Sequence, residues 1–331
     1  MRLPVPSYHS ANAIAQSVAP IRAASHSNLK IRVGPDGVHL FNRRHGINIL
    51  ADEILLPPTE WSKAPRQVSI ALTNTCDLSC PFCFTSKMPA TLPLNQLLDW
   101  LRELDRNGCL GVGFGGGEPT LYRQLPDLCR QTTHATGLAV TLTTHGHHLD
   151  YDLIRALTGN VHFVRVSMDG VGQTYEALRG RPFAELCSKL QYLRDLAPFG
   201  INFLVNSRTV SDLDAATDLS AKIGASEFLL LPEFPTATTS GIDPGTATAL
   251  QNWIQRYRGP LVLTVAEAGA DGLPTCNPLP EETGLNAYAH IDATGTLKRT
   301  SFDGHGVTIR AVGIMHALSE LQELTSTKET L

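Results

Sequence analysis

Residues 68–83 read Val68-Ser69-Ile70-Ala71-Leu72-Thr73-Asn74-Thr75-Cys76-Asp77-Leu78-Ser79-Cys80-Pro81-Phe82-Cys83. A short alternating apolar run of this kind is a strand, and it ends in three cysteines spaced C-x3-C-x2-C. The thiols therefore lie at the carboxyl end of a strand, where α/β folds place their chemistry. Three thiolates this close hold one metal or one cluster. Structural zinc takes four closed ligands, and no paired C-x2-C or H-x3-H occurs elsewhere in the chain. An iron-sulfur cubane on three cysteines keeps one iron open to an exogenous ligand. Spacing alone leaves both metals in play.

Outward from this loop, apolar runs at 68–73, 110–114, 138–143, 161–167, 201–206 and 227–231 alternate with segments such as 94–106, 124–135, 183–196 and 212–223. The latter carry apolar residues at three- and four-residue spacing. Six strands alternating with helices predict a parallel α/β sheet, enough for a partial (β/α)6 TIM-like barrel but not for the eight units of a full one. Gly111, Gly113 and Gly116 match a dinucleotide-binding G-x-G-x-x-G. However, Pro119 interrupts the expected helix start, and no acid lies between Asp127 and Asp150 to hold a ribose, so that reading is rejected.

The remaining strand ends carry further motifs. Gly116-Gly117-Glu118-Pro119 follows the second strand, Ser167-Met168-Asp169-Gly170 closes the fourth, and Arg179-Gly180 comes soon after. Asn206 and Glu233 close the fifth and sixth strands. Together with the cysteine loop, in which Phe82 precedes the third cysteine, these residues resemble the radical S-adenosylmethionine (SAM) superfamily over about residues 66–235. The resemblance implies a [4Fe-4S] cluster on Cys76, Cys80 and Cys83 that binds SAM and cleaves it to methionine and a hydrogen-abstracting 5'-deoxyadenosyl radical. It also implies that Gly116, Gly117, Glu118, Ser167, Asp169, Arg179 and Asn206 hold SAM, with Phe82 near the adenine. One departure is Thr144-His145-Gly146, where the family often has T-N-G. His145, His147 and His148 are expected to form a polar loop at the barrel mouth.

After Pro232 the rhythm changes: a helix over 246–257, a strand near 261–265, a hairpin of 288–291 and 297–302 turning at 292–295, and a final helix from about His316. The hairpin resembles the SPASM or twitch extension of radical SAM maturases. Thr300 stands where that resemblance expects a cluster-ligating cysteine, and Cys276 is the only cysteine after Cys187. An auxiliary cluster lacks ligands here, so the segment reads as a hairpin covering the barrel's open edge. Oxidative outcomes such as dehydrogenation or crosslinking lose support, and epimerisation would need a hydrogen donor, for which Cys276 is the candidate. Cys109, Cys129 and Cys187 read as packing residues.

The domain expectation is a 1–28 tail, a 29–65 hairpin and linker around Gly34-Pro35-Asp36-Gly37, the 66–235 core and a 236–331 extension. The 331 residues carry 27 Lys and Arg against 31 Asp and Glu, a net charge of −4, which leaves no basic surplus for nucleic acid. No apolar run suits a bilayer. Seven unevenly spaced cysteines fit a reducing cytoplasm rather than a disulfide scaffold. The acid-free, Ser- and Ala-rich start also has the composition of a transit peptide, with a plain tail as the simpler reading. The resemblance to radical SAM maturases implies a ribosomally synthesised peptide as substrate, with a flavodoxin or ferredoxin as one-electron donor. The alternatives are a small molecule or nucleotide, or a noncatalytic metal-binding or assembly protein.

Overall fold

Val68, Ile70 and Leu72 are at most 1% exposed, while Gln67 and Ser69 at the alternate positions stay half-buried, so the start of the first core strand presents two different faces. The computed structural model describes residues 29–236, 239–266 and 269–326. Six parallel strands, β4 (Gln67–Thr73), β5 (Gly111–Gly116), β6 (Ala139–Thr144), β7 (Phe163–Ser167), β8 (Phe199–Val205) and β9 (Glu227–Pro232), pair in chain order. This is the predicted partial barrel. Helices pack on the outside, and the first of them, Leu94–Arg106, buries Leu97, Leu98, Trp100, Leu101 and Leu104 on one stripe. The expected helix at 183–196 is instead an α-helix, Phe183–Leu190, continued as a 3-10 helix, Gln191–Asp195.

The sheet does not stop at six strands. β10 (Val262–Val265) pairs parallel to β9, and β11 (Tyr288–Ile291) pairs parallel to β4, giving eight parallel strands in a row. β12 (Thr296–Lys298) and β13 (Val307–Thr308) continue antiparallel beyond β11. The C-terminal extension thus lines both edges of the barrel. Ala289 and Ile291 are fully buried, and pairing with β11 supplies partners for the backbone groups that the edge of β4 would otherwise expose. The Asp292–Gly295 turn forms as expected, with Asp292 Oδ1 accepting from the Thr294 and Thr296 amides.

The N-terminal hairpin is in fact a three-stranded antiparallel sheet, β1 (Leu29–Gly34), β2 (Gly37–Asn42) and β3 (Ile47–Ala51). Its third strand alternates weakly and buries little, which hid it from pattern reading. A buried ion cluster ties this sheet to the barrel floor: Glu282 of the extension pairs with both Arg32 of β1 and Arg66 just before β4. Arg32 also donates to the carbonyls of Ala64 (2.8 Å), Gly108 (3.0 Å) and Asn286 (2.8 Å). The expected tail at 1–28 lies outside the described residues. Among the described residues no helix is long and apolar enough to cross a membrane.

Candidate radical SAM site

The cysteine loop leaves β4 and crosses the carboxyl mouth of the barrel. Cys76, Cys80 and Cys83 are half-buried free thiols, and each has a nitrogen donor facing its sulfur. The Leu78 amide lies 3.4 Å from Cys76 Sγ, an Arg179 guanidinium nitrogen 3.6 Å from Cys80 Sγ, and Lys87 Nζ 3.6 Å from Cys83 Sγ. Burial pushes the Cys76 and Cys80 thiols up, and Arg179 opposes this at Cys80. Free thiols backed by donors suit an anionic sulfur ligand set, so these residues fit the three-cysteine cluster.

The two glycines after β5 are required by a close approach. Gly116 has φ +128°, and a Cβ there would lie 2.3 Å from the Thr73 carbonyl oxygen; a Cβ on Gly117 would lie 2.2 Å from that of Thr75. The backbones are joined by Gly117 N–H to Thr73 O at 2.7 Å and Glu118 N–H to Thr75 O at 2.8 Å. The glycine pair therefore seats the root of the cysteine loop. Glu118, 1% exposed, is largely engaged within the chain. Its Oε1 accepts from the Thr120 amide (3.1 Å), the Thr120 hydroxyl (2.7 Å) and the Thr144 hydroxyl (2.6 Å), and its Oε2 from the His145 amide (2.9 Å). Oε2 also lies 3.4 Å from His145 Nε2 and keeps accepting capacity toward a ligand ammonium.

Asp169, Arg179, Phe82 and Cys80 form one assembly. Asp169 Oδ1 accepts from the Leu204 amide (2.8 Å), and Oδ2 from Arg179 Nε (2.7 Å). The Arg179 guanidinium lies 5.3 Å from the centre of the Phe82 ring. Burial opposes its charge, but Asp169 outweighs burial and raises Arg179 above its ordinary range. Ser167 ends β7 beside Asn202 of β8. Asn206 Nδ2 reaches Glu233 Oε1 at 3.3 Å, so the ends of β8 and β9 do meet.

The three histidines are more ordered than a solvated loop. His145, 4% exposed, sends Nε2 to Asp77 Oδ1 at 3.0 Å, and His148 Nε2 lies 3.3 Å from the same oxygen. Arg181 donates to Asp77 Oδ2 at 2.7 Å. Burial works against the Asp77 charge, but the neighbouring His145 and His148 rings prevail and lower its carboxyl to about 2. His147 bonds the buried Tyr175 hydroxyl at 2.7 Å.

A cavity of about 610 Å³ lies between the cysteine loop and the extension, lined among others by Cys83, Gly116, His290, Asp292, Lys298 and Phe302. Phe84 and Phe302 form its aromatic lip, with ring centroids 4.7 Å apart, and Phe234 stacks on Phe302 at 4.6 Å. Pattern reading missed His290. Its Nδ1 lies 2.6 Å from Ser69 Oγ, which in turn lies 2.5 Å from the Tyr288 hydroxyl. Burial lowers His290 to about 4, so the ring is neutral at pH 7. Tyr288 and His290 sit two apart on β11 and share a face; that period was the available signal. Cys276 is exposed and is not among the cavity's lining residues. Cys109 and Cys129 are buried, and burial raises their thiols to about 11 and about 12, while Cys187 is half-buried.

Comparison with known proteins agrees with this geometry. Residues 70–219 match the Radical SAM superfamily model. The AdoMet-dependent heme synthase of Methanosarcina barkeri is 28% identical over 204 residues, 58% of each chain. The mycofactocin maturase MftC of Mycobacterium tuberculosis is 29% identical over 174 residues, 49% of this chain and 43% of that protein. The chain thus spans about half the length of these relatives. In fold, it is similar to Streptococcus suis SuiB, crystallised with S-adenosylmethionine, at a TM-score of 0.66 and 15% identity, covering 83% of this chain and 82% of SuiB. The cysteine loop, its glycine seat and the matched span together identify residues 70–219 as a radical SAM domain, the family of the [4Fe-4S] cluster and SAM, in a chain resembling the SPASM/twitch-type peptide maturases.

Proposed function

We propose that the chain is a radical SAM enzyme that modifies a ribosomally synthesised peptide. The observation that carries this reading is the cavity, which has Cys83 and Gly116 on one wall and the extension on the other. When bound, the cluster and SAM supply an adenosyl radical that abstracts a substrate hydrogen. Cys76, Cys80 and Cys83 would hold the cluster. Gly116, Gly117, Glu118, Ser167, Asp169, Arg179 and Asn206 would surround SAM, with Phe82 held beneath Arg179. His290 Nε2 makes no hydrogen bond among the described residues and would face a substrate polar group, as an N–H donor in the tautomer whose Nδ1 accepts from Ser69 and as an acceptor in the other. The aromatic lip would exclude water and stray hydrogen donors from the cavity.

The name of another relative, the PqqA peptide cyclase of Rhodopseudomonas palustris, 36% identical over 32% of this chain, supports a peptide substrate. The extension's lack of further cysteines favours redox-neutral chemistry over crosslinking or dehydrogenation, and Cys276, outside the cavity lining, is a poor hydrogen donor for it. A flavodoxin or ferredoxin would deliver the electron, and a reducing cytoplasm would keep the thiols free. A second reading, a small-molecule substrate, is favoured by the heme synthase relative.

The test is anaerobic reconstitution followed by SAM and a reductant. About four irons per chain and 5'-deoxyadenosine are expected from wild type, and neither from a Cys76/Cys80/Cys83→Ala variant. Zinc without sulfide, or no deoxyadenosine, would return the chain to a metal-binding role. A mass change in a short peptide encoded beside this gene, against one in a tetrapyrrole, separates the two substrates.

A further inference from the structure

Within residues 76–83 there is no helix or strand, and one backbone–backbone hydrogen bond, from the Cys83 amide to the Cys80 carbonyl at 3.2 Å. A segment so poor in backbone bonding has little local stability of its own. Side chains hold it instead. Asp77 is gripped from two directions: by His145 Nε2 at 3.0 Å just after β6, with His148 Nε2 beside it at 3.3 Å, and by Arg181 at 2.7 Å from the turn before the Phe183–Leu190 helix. Two residues before Arg181, Arg179 reaches Cys80.

Cys76, Asp77 and His145 also bring a sulfur, an oxygen and a nitrogen within 4.8 Å of one another, a donor set that suits a divalent ion. The tautomer of His145 decides between the two roles. The His147 amide donates to His145 Nδ1 at 3.1 Å, so the ring proton resides on Nε2. Nε2 therefore offers its hydrogen to Asp77 at 3.0 Å, nearer than Glu118 Oε2 at 3.4 Å, and has no lone pair for a metal.

We infer that Asp77 is a latch, and that His145 and Arg181 are its positioning residues: they hold the cysteine loop in its ligand-ready arrangement before any cluster is present. An asparagine at 145, as in the motif this chain departs from, is shorter than the histidine and ends in an amide. The inference uses the proposed cluster role of Cys76 only to say what the latch is for. Its test runs on the metal-free chain and stands apart from that role.

The experiment is the rate of Cys76 alkylation by iodoacetamide in the reduced, metal-free protein, followed by mass spectrometry. Exposed Cys276 and buried Cys129 serve as internal references. Arg181→Ala, at a half-exposed side chain, and His145→Phe, which keeps the ring but removes the donor, should each speed Cys76 about tenfold, the scale of one lost hydrogen bond to a charged group. His145→Gln, whose amide reaches about as far as Nε2, should restore the slow rate. Removing Arg181 also takes a positive charge from the neighbourhood of the thiol, which alone would slow alkylation, so an increase reports loosening. In the reconstituted protein, iron should be lost to a chelator faster in the same two variants and not in His145→Gln. Unchanged Cys76 rates in both variants would overturn the latch, and so would an equal rise at Cys129, which reports general unfolding. Slow Cys76 in wild type, fast Cys76 in the variants and no iron on reconstitution would keep the latch and reject the cluster.

Discussion

Glu118 takes four donors within hydrogen-bond distance while 1% exposed, so its removal strands the Thr144 hydroxyl and the His145 amide in the interior. Glu118→Ala is expected to cost the metal-free protein about 1–3 kcal/mol, read from urea denaturation. Iron content should fall with it, because its carboxylate holds the His145 amide and His145 in turn reaches Asp77 of the cysteine loop. Gly117→Ala puts a methyl 2.2 Å from the Thr75 carbonyl oxygen. The loop root must then move, at a cost of about 1–3 kcal/mol, and iron per chain after reconstitution should fall well below wild type. Histidines 162 and 290 make a pH prediction. Burial lowers both to about 4 from 6.5, so between those values the unfolded chain binds more protons than the folded one. Their stabilisation is complete above pH 6.5 and is lost as pH falls toward 4. His162→Gln should flatten the slope of stability against pH in that window; an unchanged slope would show that folding does not lower His162.

Among elements, the N-terminal sheet, the barrel floor and the extension meet at Glu282, whose side chain is 1% exposed between Arg32 and Arg66. Glu282→Ala leaves Arg32 buried without its counter-charge, and a loss of about 3–5 kcal/mol is expected. Faster proteolysis of the 52–65 linker than of the barrel would locate that loss at the junction. The longer helices were legible because their apolar stripes run over three or more turns. The helices Tyr151–Leu157 and Gln173–Arg179 are seven residues each, too short for a period to emerge. The second of these positions Arg179, so a residue named by its motif sits on an element that pattern reading did not resolve.

At the scale of the whole molecule, the extension completes the barrel and walls the cavity. Deleting 282–326 would expose the edge of β4 and the groups that Ala289, Ile291 and Leu297 now cover. The truncated chain is expected to form oligomers or aggregates on size-exclusion chromatography; a stable monomer would mean that β11 is dispensable. A milder change, Phe302→Ala, opens the aromatic lip without touching the sheet. It should leave metal-free stability within about 1 kcal/mol of wild type, as at a half-exposed side chain, and increase 5'-deoxyadenosine formed without product, since the lip is assigned to shielding.

The sequence by itself determined the six-strand core, the cysteine loop and the motifs at the strand ends, because strand period, cysteine spacing and glycine pairs are local and survive without any long-range contact. Tertiary structure alone decided that β11 lies beside β4, that Glu282 binds Arg32 from 250 residues away, that Asp77 meets His145 and Arg181, and that His290 faces Cys83 across one cavity. Each of these depends on which segments the closing barrel brings together, and no local pattern encodes a partner that distant in the chain.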